Sequence, residues 1–301
     1  MTDYVESDVP QQTGRTFLVT GANTGIGWDT ARVLAERGAR VLLGCRSGEK
    51  AKAAMEKIRQ TAPEASLAWI ELDLTSLDSV RAAADEVLKE DRLDGLINNA
   101  GVMVPPKMVT SDGFELQFGV NHLGHFALTG HLLPLLKDQD GARVVNVSSL
   151  AHRNGRIIYD DLHAEKEYSA MERYQMSKFA NILFTYELQR KLEAAGSKTL
   201  SVACHPGGSS TELGRYINPF LAVLFLPLSL IMNSSAEGAL PTLMATTSGD
   251  VSGGDYFGPK GMGEFRHSAT KVETIPNSRD EKDAAKLWEV STELTGVTYD
   301  F

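Results

Sequence analysis

The sequence predicts a single α/β domain in which helices cover both faces of a doubly wound parallel sheet. The first observation is that short apolar runs alternate along the chain with amphipathic stretches of helical period. Such alternation is typical of parallel strands joined by right-handed crossovers. The second is size and composition: 301 residues, 42% hydrophobic and 23% charged, fit one large folded domain. Disordered, collagen-like and disulfide-scaffold classes are therefore excluded.

The first half of the chain contains four strand–helix repeats. Strands are predicted at 15–20, 40–45, 67–72 and 93–98, because each is a short apolar run bounded by polar or glycine residues. The intervening helices are predicted at 25–37, 49–61, 76–90 and 113–136. Ser76 is the expected N-cap of the third helix.

The second half continues the alternation with two interruptions. We predict a strand at 143–147, a helix at 173–195, a strand at 199–204 and a closing helix at 280–294. A polar insertion occupies 151–171. We divide the chain into a polar leader, 1–13, a main body, 14–260, and a closing segment of the same domain, 261–301.

The second interruption is an apolar segment at 217–232. It has 16 residues and two prolines, whereas a membrane-spanning helix needs about 20 apolar residues. Three interpretations are open: a lid over an apolar ligand, extending over 208–235; a buried helix or subunit contact; and docking to a membrane surface.

Charge and cysteine content narrow the possible partners and location. The net charge of −9 argues against nucleic acid as the main partner, because phosphate-backbone binding needs a clustered positive surface. Two cysteines cannot make a disulfide framework, which suits a reducing compartment. The first 13 residues have no apolar signal-peptide core. We therefore predict a cytoplasmic protein.

The sequence Thr-Gly-Ala-Asn-Thr-Gly-Ile-Gly at 20–27 lies between the first strand and its helix. In that position glycines let the backbone approach a pyrophosphate, and the helix N-terminus binds it. The alternative, a purely structural turn, is weakened by the strand–turn–helix context. The predicted dinucleotide-binding residues here are Gly21, Asn23, Thr24, Gly25, Ile26 and Gly27.

The end of the second strand predicts which dinucleotide is bound. An acidic residue there would bind the ribose hydroxyls of NAD(H), but the chain has Cys45 and Arg46. A guanidinium pairs well with a 2′-phosphate, so NADP(H) is favoured over NAD(H). Asp73, followed by Leu74, is a candidate for the adenine amine; local helix capping is its alternative role.

Tyr174 and Lys178 are four residues apart and share one face of the predicted helix. An ammonium beside a phenol favours the phenolate, so Tyr174 is the expected general acid for carbonyl reduction and base for alcohol oxidation. Ser149, after the fifth strand, would hydrogen-bond the substrate oxygen. Its neighbour Ser148 is the alternative serine.

These motifs together resemble the short-chain dehydrogenase/reductases. The matches are the glycine motif, Asn-Asn-Ala-Gly at 98–101, Tyr-x-x-x-Lys at 174–178, and Pro-Gly-x-x-x-Thr at 206–211. The agreement spans about residues 14–260. Within that family, the sequence at 145–152 and the 25-residue spacing from Ser149 to Tyr174 are most similar to the retinol dehydrogenase branch.

The resemblance implies a Rossmann-type, NADP-binding catalytic domain and assigns further roles. Asn121, Ser149, Tyr174 and Lys178 are the implied catalytic set. Lys178 would also hold the nicotinamide ribose, and Asn121 would support a water that links Lys178 to solvent. The implied cofactor contacts beyond the glycine loop are Asn99, Ala100, Gly101, Pro206, Gly207 and Thr211. Homodimers or homotetramers that pair through the long helices are also implied.

The predicted function is NADP(H)-dependent interconversion of an apolar aldehyde or ketone and its alcohol. The alternative from another class is a catalytically silent NADP-sensing regulator of the same fold, but the usual mark of such proteins is loss of the catalytic tyrosine. No metal is predicted, because His122, His125 and His131 have no carboxylate or cysteine at a supporting ligand spacing.

Overall fold

The computed structural model describes residues 3–137, 139–208 and 233–301. Its centre is an eight-stranded sheet in the order β3-β2-β1-β4-β5-β6-β7-β8, in which all pairs are parallel except the antiparallel β7–β8 pair. The strands are β1 (Thr16–Thr20), β2 (Arg40–Cys45), β3 (Ser66–Glu71), β4 (Gly95–Asn98), β5 (Arg143–Val147), β6 (Leu200–Cys204), β7 (Tyr256–Pro259) and β8 (Ala269–Val272).

The helices follow the strands in the expected alternation. In chain order they are α1 (Gly25–Glu36), α2 (Gly48–Thr61), α3 (Leu77–Val87), α4 (Leu116–Phe118), α5 (Gly124–Leu136), α6 (Ala170–Ala194), α7 (Ser235–Thr247) and α8 (Glu281–Thr295). Ser76 caps α3 as predicted, because its side chain accepts a hydrogen bond from the Ser79 amide. The predicted fold class is confirmed.

Two apolar layers sandwich the sheet, because successive strand residues point to opposite faces. On β1, Phe17 and Val19 face one layer, in which buried side chains of α1, α2 and α7 pack. Leu18, between them, faces the other layer, which α3, α5 and α6 supply. The central strands are buried on both sides, which explains their near-continuous apolar sequence.

The C-terminal part of the sheet differs from the prediction. The strands β7 and β8 and the helix α7 were not anticipated, and β8 runs antiparallel to β7, so the sheet is not wholly parallel. These strands have only four residues each, too short for a period-2 pattern to be read. They form by pairing with β6 and with each other, which is a long-range effect.

The helix predicted at 113–136 is not continuous. It begins at Leu116 and contains one π-helical turn, Gly119–Leu123, between α4 and α5. A π turn inserts a residue into the helical ladder and often occurs at functional sites. Asn121 lies within this turn and is fully buried.

Both ends of the chain pack on the domain. In the predicted leader, Tyr4 forms an antiparallel bridge with Ala269, and its hydroxyl is 2.6 Å from Thr247 Oγ1. The predicted closing helix is α8, which packs along α6, where Trp288 lies under the ammonium of Lys191 at 5.0 Å. Segment 261–301 thus contributes both a strand and a helix to the same domain.

The predicted lid, 208–235, falls largely outside the described residues. This includes the apolar run 217–232 and Thr211. The two flanking residues lie together, because the Asn233 amide donates a 2.7 Å hydrogen bond to the Gly208 carbonyl oxygen. Among the helices of the described residues, none has the length and apolarity to span a bilayer.

Candidate active site

A cavity of about 490 Å³ lies at the carboxyl ends of the parallel strands, the edge at which open α/β sheets bind ligands. It brings together most of the predicted cofactor residues. Those in its wall are Gly21, Asn23, Thr24, Gly25, Ile26, Gly27, Arg46, Asp73, Leu74, Asn99, Ala100, Gly101, Tyr174, Lys178 and Pro206.

The glycine loop packs tightly against the turn after β4. A Cβ atom added at Gly27 would lie 2.5 Å from Asn99 Nδ2 and 2.6 Å from the Gly21 carbonyl oxygen, so only glycine fits there. The Asn99 side chain in turn donates to the Thr20 carbonyl oxygen at 2.7 Å. The first and fourth strand ends therefore form one rigid floor to the cavity.

The N-terminus of α1 opens into this cavity. Its N-cap, Thr24, makes no side-chain hydrogen bond to the first helical turn, and Thr24, Gly25 and Ile26 all line the cavity. Helix N-termini carry free N–H groups and partial positive charge, which suit an anion. The cradle therefore fits a pyrophosphate.

The Thr20 hydroxyl organises the turn after β4. Its oxygen accepts hydrogen bonds from the Asn99 and Ala100 amides, each 2.9 Å away, and it is 2.9 Å from Nε2 of His125. His125 Nδ1 donates to the Asn121 carbonyl oxygen at 3.1 Å. Burial lowers the pKa of His125 to about 4, so Nε2 of the neutral ring can accept a hydrogen bond from the Thr20 hydroxyl, which also lies 3.3 Å from the Ile97 carbonyl oxygen. From the sequence, His125 was considered only as a metal ligand, and that role was rejected.

Cations line the end of the cavity beside β2. Arg46, an exposed residue, lies there as predicted, and so does Lys50 in the first turn of α2. Lys50 was not predicted from the sequence to face the cavity. Its position four residues after Arg46, across the Ser47 N-cap, was the available signal.

Asp73 and Leu74 follow β3 and lie in the cavity wall. Asp73 Oδ1 accepts hydrogen bonds from the Thr75 amide at 3.0 Å and the Thr75 hydroxyl at 2.8 Å. The carboxylate therefore organises its own turn, while Ser76 caps α3. Both roles considered from the sequence are compatible with this geometry.

Tyr174 and Lys178 share one face of α6, at the opposite end of the cavity. The Lys178 ammonium is 5.8 Å from the centre of the Tyr174 ring. Burial raises the pKa of Tyr174, and its hydrogen bond with Ser149 lowers that pKa in part. The expectation that Lys178 favours the phenolate stays a prediction, and burial, which disfavours the phenolate, is the largest influence on the pKa of Tyr174 here.

Lys178 is itself almost fully buried. Burial lowers its pKa from the ordinary 10.5 to about 8, because a desolvated ammonium is disfavoured. Its Nζ donates to the Val147 carbonyl oxygen at 3.0 Å, which directs the ammonium to the end of β5. The sequence showed the spacing of the pair but not its desolvation.

The two adjacent serines after β5 are used differently. Ser148 lines the cavity, but its hydroxyl donates to the Lys178 carbonyl oxygen at 2.8 Å. Ser149 lies beside the cavity wall, where its Oγ accepts from the Ala151 amide at 3.2 Å and interacts with Tyr174. Only the Ser149 hydroxyl is thus paired with the tyrosine.

Asn121 does not line the cavity wall but lies directly behind it. Its Oδ1 accepts from the Val102 amide at 2.8 Å, and its Nδ2 donates to the Val102 carbonyl oxygen and to Ser177 Oγ. An added Cβ at Gly101 would lie 3.2 Å from Asn121 Oδ1 and 3.6 Å from Lys178 Nζ. Gly101 therefore lies between the amide and the ammonium.

The turn after β6 provides Pro206 to the cavity wall, whereas Gly207 lies just outside it. Thr211 falls outside the described residues. A feature that the sequence analysis missed is the apolar wall formed by Met103, Met108 and Val109. Met108 and Val109 are 45% and 58% exposed. Their only signal was an apolar stretch after the Asn-Asn-Ala-Gly turn.

These features fit a nicotinamide dinucleotide. The glycine cradle and the α1 N-terminus suit the pyrophosphate, and the cavity extends from the exposed cations beside β2 to Tyr174 and Lys178 on α6. The side chains at one end of the cavity are cations, opposite in charge to phosphates. The other end contains a proton donor, Tyr174.

Comparison with known proteins agrees with this geometry. The short chain dehydrogenase family model matches residues 15–221. Human retinol dehydrogenase 14 is 42% identical over 305 residues, which cover 94% of this chain and 87% of that protein. Human retinol dehydrogenase 11 is 43% identical, with 96% of this chain and 88% of that protein covered.

Solved structures share the fold. The crystal structure of an uncharacterised protein from Mycobacterium paratuberculosis has a TM-score of 0.84 and 40% identity, with both chains covered completely. The NADP active-site complex of Pseudomonas aeruginosa RhlG has a TM-score of 0.65 and 25% identity, with 85% of this chain and 96% of that chain covered. The chain belongs to the short-chain dehydrogenase/reductase family and is a retinol dehydrogenase-like oxidoreductase that acts on CH–OH donors.

Proposed function

We propose that the protein is an NADP(H)-dependent enzyme that interconverts an apolar aldehyde or ketone with its alcohol, with Tyr174 as the general acid and base. The observation that carries this proposal is the position of Tyr174. Its buried phenol lies in the cavity wall with Lys178 and is paired with Ser149. A protonated phenol is the form needed to donate a proton to a carbonyl oxygen.

The proposed roles follow from the contacts of each side chain. Hydride transfer to or from carbon is the chemistry that a bound nicotinamide coenzyme supplies. Tyr174 donates a proton to the substrate oxygen during reduction and accepts one during alcohol oxidation. Ser149 holds that oxygen beside the phenol by a hydrogen bond. Lys178 would hold the nicotinamide ribose through its ammonium, and Asn121 supports the Gly101 wall behind it.

The preference for NADP(H) is supported by charge at the adenosine end of the cavity. Arg46 and Lys50 are both exposed and both face this end. Arginine pairs with phosphate in a bidentate manner, and lysine adds a point charge. The related RhlG structure is described as an NADP complex. A 2′-phosphate would therefore lie between these two side chains and the N-terminus of α2.

The apolar substrate class is supported by Met103, Met108 and Val109 in the cavity wall. Thioether and aliphatic side chains gain free energy when they exclude water with an apolar ligand, and methionine adapts to its shape. The names of the relatives, retinol dehydrogenases 14 and 11, point to the same chemical class. The candidate substrates are long or cyclic apolar carbonyl compounds.

The test is the rate of NADPH oxidation with a panel of apolar aldehydes and ketones. We expect turnover by the natural sequence and a decrease in kcat of about 10²- to 10⁴-fold in Tyr174→Phe, because general acid catalysis is lost. The affinity for NADPH should change little. Undiminished turnover by Tyr174→Phe would show that another group donates the proton.

A matched control lies on the same helix. The Tyr186 hydroxyl is 2.7 Å from Thr274 Oγ1, away from the cavity. Tyr186→Phe removes the same atom from α6 and should keep kcat within about twofold, since only one part-buried neutral hydrogen bond is lost. An equal loss in both variants would indicate that helix stability, not proton transfer, explains the effect.

A further inference from the structure

We propose that Glu264 and His205 are positioning residues that fix the Pro206–Gly207 turn at the nicotinamide end of the cofactor cavity. The proposal rests on the proposed function, which assigns that end to the nicotinamide. Neither residue touches the cavity. Glu264 lies in the segment between β7 and β8, and His205 follows β6, so their contact is made only by the folded chain.

The imidazole of His205 has one arrangement of hydrogen bonds that satisfies both ring nitrogens. The Gly207 amide donates to Nδ1 at 3.2 Å, and Nε2 is 2.9 Å from Glu264 Oε2. Because an amide can only donate, Nδ1 must be the acceptor, and the proton of the neutral ring is on Nε2. Glu264 therefore selects the tautomer that holds the Gly207 amide.

The same carboxylate also holds the segment that follows Ser149. Glu264 Oε1 is 2.7 Å from Nη2 of Arg153. Arg153 lies in the 3-10 turn Leu150–Asn154, whose N-cap is Ser149. One side chain of the β7–β8 segment is thus bonded to both turns that flank the proposed reaction centre, the serine turn and the proline–glycine turn.

The backbone around Glu264 is built to present this carboxylate. Glu264 has a φ of 58°, the left-handed region that non-glycine residues seldom adopt. Gly207, with a φ of 71°, would place a Cβ 2.5 Å from the Phe265 carbonyl oxygen. The Gly208 amide donates to that same oxygen at 3.0 Å. Residues 264–265 and 207–208 are therefore in direct contact.

The His205 ring beside this contact is tightly packed. His205 is fully buried, and its ring centroid is 5.3 Å from that of Tyr256 in β7. A Cβ at Gly258 would lie 2.1 Å from His205 Nε2, so the ring occupies the space left by a glycine. Because neither the ring nor the turn has room to shift, loss of the Glu264 bond changes the tautomer balance rather than the packing.

The experiment compares Glu264→Ala, Glu264→Gln and Glu90→Ala. In Glu264→Ala the His205 proton is free to move to Nδ1, where it would oppose the Gly207 amide. The glutamine Oε1 still accepts from His205 Nε2, whereas its NH2 group cannot pair with Arg153, so Glu264→Gln should keep the Gly207 turn while losing the Arg153 contact. Glu90 is the matched control: its side chain is 21% exposed against 24% for Glu264, and it pairs with Arg40, remote from the cavity.

Two measurements are made on each full-length variant. Amide hydrogen exchange by NMR reports the Gly207 bond without coenzyme, and fluorescence titration reports Kd for NADPH and for NADH. In Glu264→Ala we expect exchange at Gly207 and both Kd values to rise about tenfold, the size expected for the loss of one hydrogen bond to a charged group. Glu264→Gln and Glu90→Ala should stay within about twofold of the natural sequence.

Unchanged exchange at Gly207 in Glu264→Ala would overturn the proposal, and so would equal losses in Glu264→Ala and Glu264→Gln. Failure of the proposed function looks different. If the natural sequence bound NADPH no better than NADH, the cofactor preference would be wrong, while the exchange comparison would still decide the role of Glu264. If Glu90→Ala raised exchange at Gly207 and the two Kd values as much as Glu264→Ala does, the cause would instead be a general loss of stability, and the proposal would be wrong.

Discussion

The two ends of the cofactor cavity differ in how they are built. Beside β2, Arg46 and Lys50 are exposed cations on local turns, where water and salt weaken every charge interaction. On α6, Tyr174 and Lys178 are 5% and 4% exposed, so burial alone moves the pKa of each toward the neutral form. One end works by surface charge, and the other by desolvation.

The exposed cations beside β2 lower the free energy of unfolding little, whereas the buried groups on α6 lower it appreciably. A buried ammonium with a lowered pKa destabilises the folded chain at neutral pH. The phosphate cradle between the two ends uses neither strategy. It depends on the absence of side chains, as at Gly27. The three regions should therefore respond differently to substitution.

The largest effect is expected at Lys178, whose buried ammonium lowers the free energy of unfolding at neutral pH. Its pKa is about 8 in the folded chain and ordinarily 10.5, so the unfolded chain binds more protons between these values. The free energy of unfolding of the natural sequence should thus increase as pH rises from about 8 to 10.5, by up to about 3 kcal/mol. Lys178→Met should lack this increase and be more stable at pH 7, although inactive.

Urea unfolding at pH 7 and at pH 10 measures this difference. Lys191→Met is the control, because Lys191 lies on the same helix, α6, but is 30% exposed and paired with Glu187. Its pH dependence should match that of the natural sequence. If the free energy of unfolding of Lys178→Met depended on pH in the same way, the buried ammonium would not destabilise the folded chain. The proposed difference between the two ends of the cavity would then be wrong.

The second effect concerns the phosphate cradle. Gly27→Ala should weaken dinucleotide binding by about 2 kcal/mol, or roughly 30-fold, because the added methyl group displaces Asn99 or the Gly21 carbonyl. Titration of NADPH and NADH should show equal losses. Gly249→Ala is the control, since nothing lies within 4 Å of a Cβ built there. Unaltered affinity in Gly27→Ala would mean that the loop can rearrange freely.

The smallest effect is expected at the cationic end. Arg46→Ala should weaken NADPH by about 1.5 kcal/mol, roughly tenfold, and leave NADH nearly unchanged, because only the 2′-phosphate contact is removed. Lys50→Ala should have the same sign and a smaller size. Titrations at low and high salt should show the loss shrinking with ionic strength.

Arg59→Ala is the control for this end, because Arg59 lies in the last turn of the same helix, α2. It should leave both affinities unchanged. A parallel loss of NADPH and NADH in Arg46→Ala would remove Arg46 from coenzyme selection. It would then show that the cationic end, like the cradle, acts on the whole dinucleotide.

Local sequence patterns predicted most of this architecture. The six parallel strands β1 to β6 and the helices between them were readable because each has its own apolar period. The later elements were not. Four-residue strands such as β8 show no period, and the π turn around Asn121 inserts one residue into a helix, which no local pattern marks.

The candidate site divides along the same line. Gly27, Arg46, Tyr174 and Lys178 were found because their chemistry is tied to a spacing or to a place in a strand–helix unit. Lys50 was missed because a lysine in a charged helix has no distinctive pattern. Glu264 was missed because its partner His205 is 59 residues away.

The fold class, the glycine cradle and the pairing of Tyr174 with Lys178 were predictable from the amino-acid sequence, because these depend on residues near one another in the chain. Which groups lose contact with water depends instead on how the whole chain folds. Burial is the largest influence on the pKa of Tyr174, which it raises. Folding also brought Glu264 into contact with His205, and His125 into contact with Thr20. Desolvation and long-range hydrogen bonds belong to the assembled domain, which is why no local pattern records them.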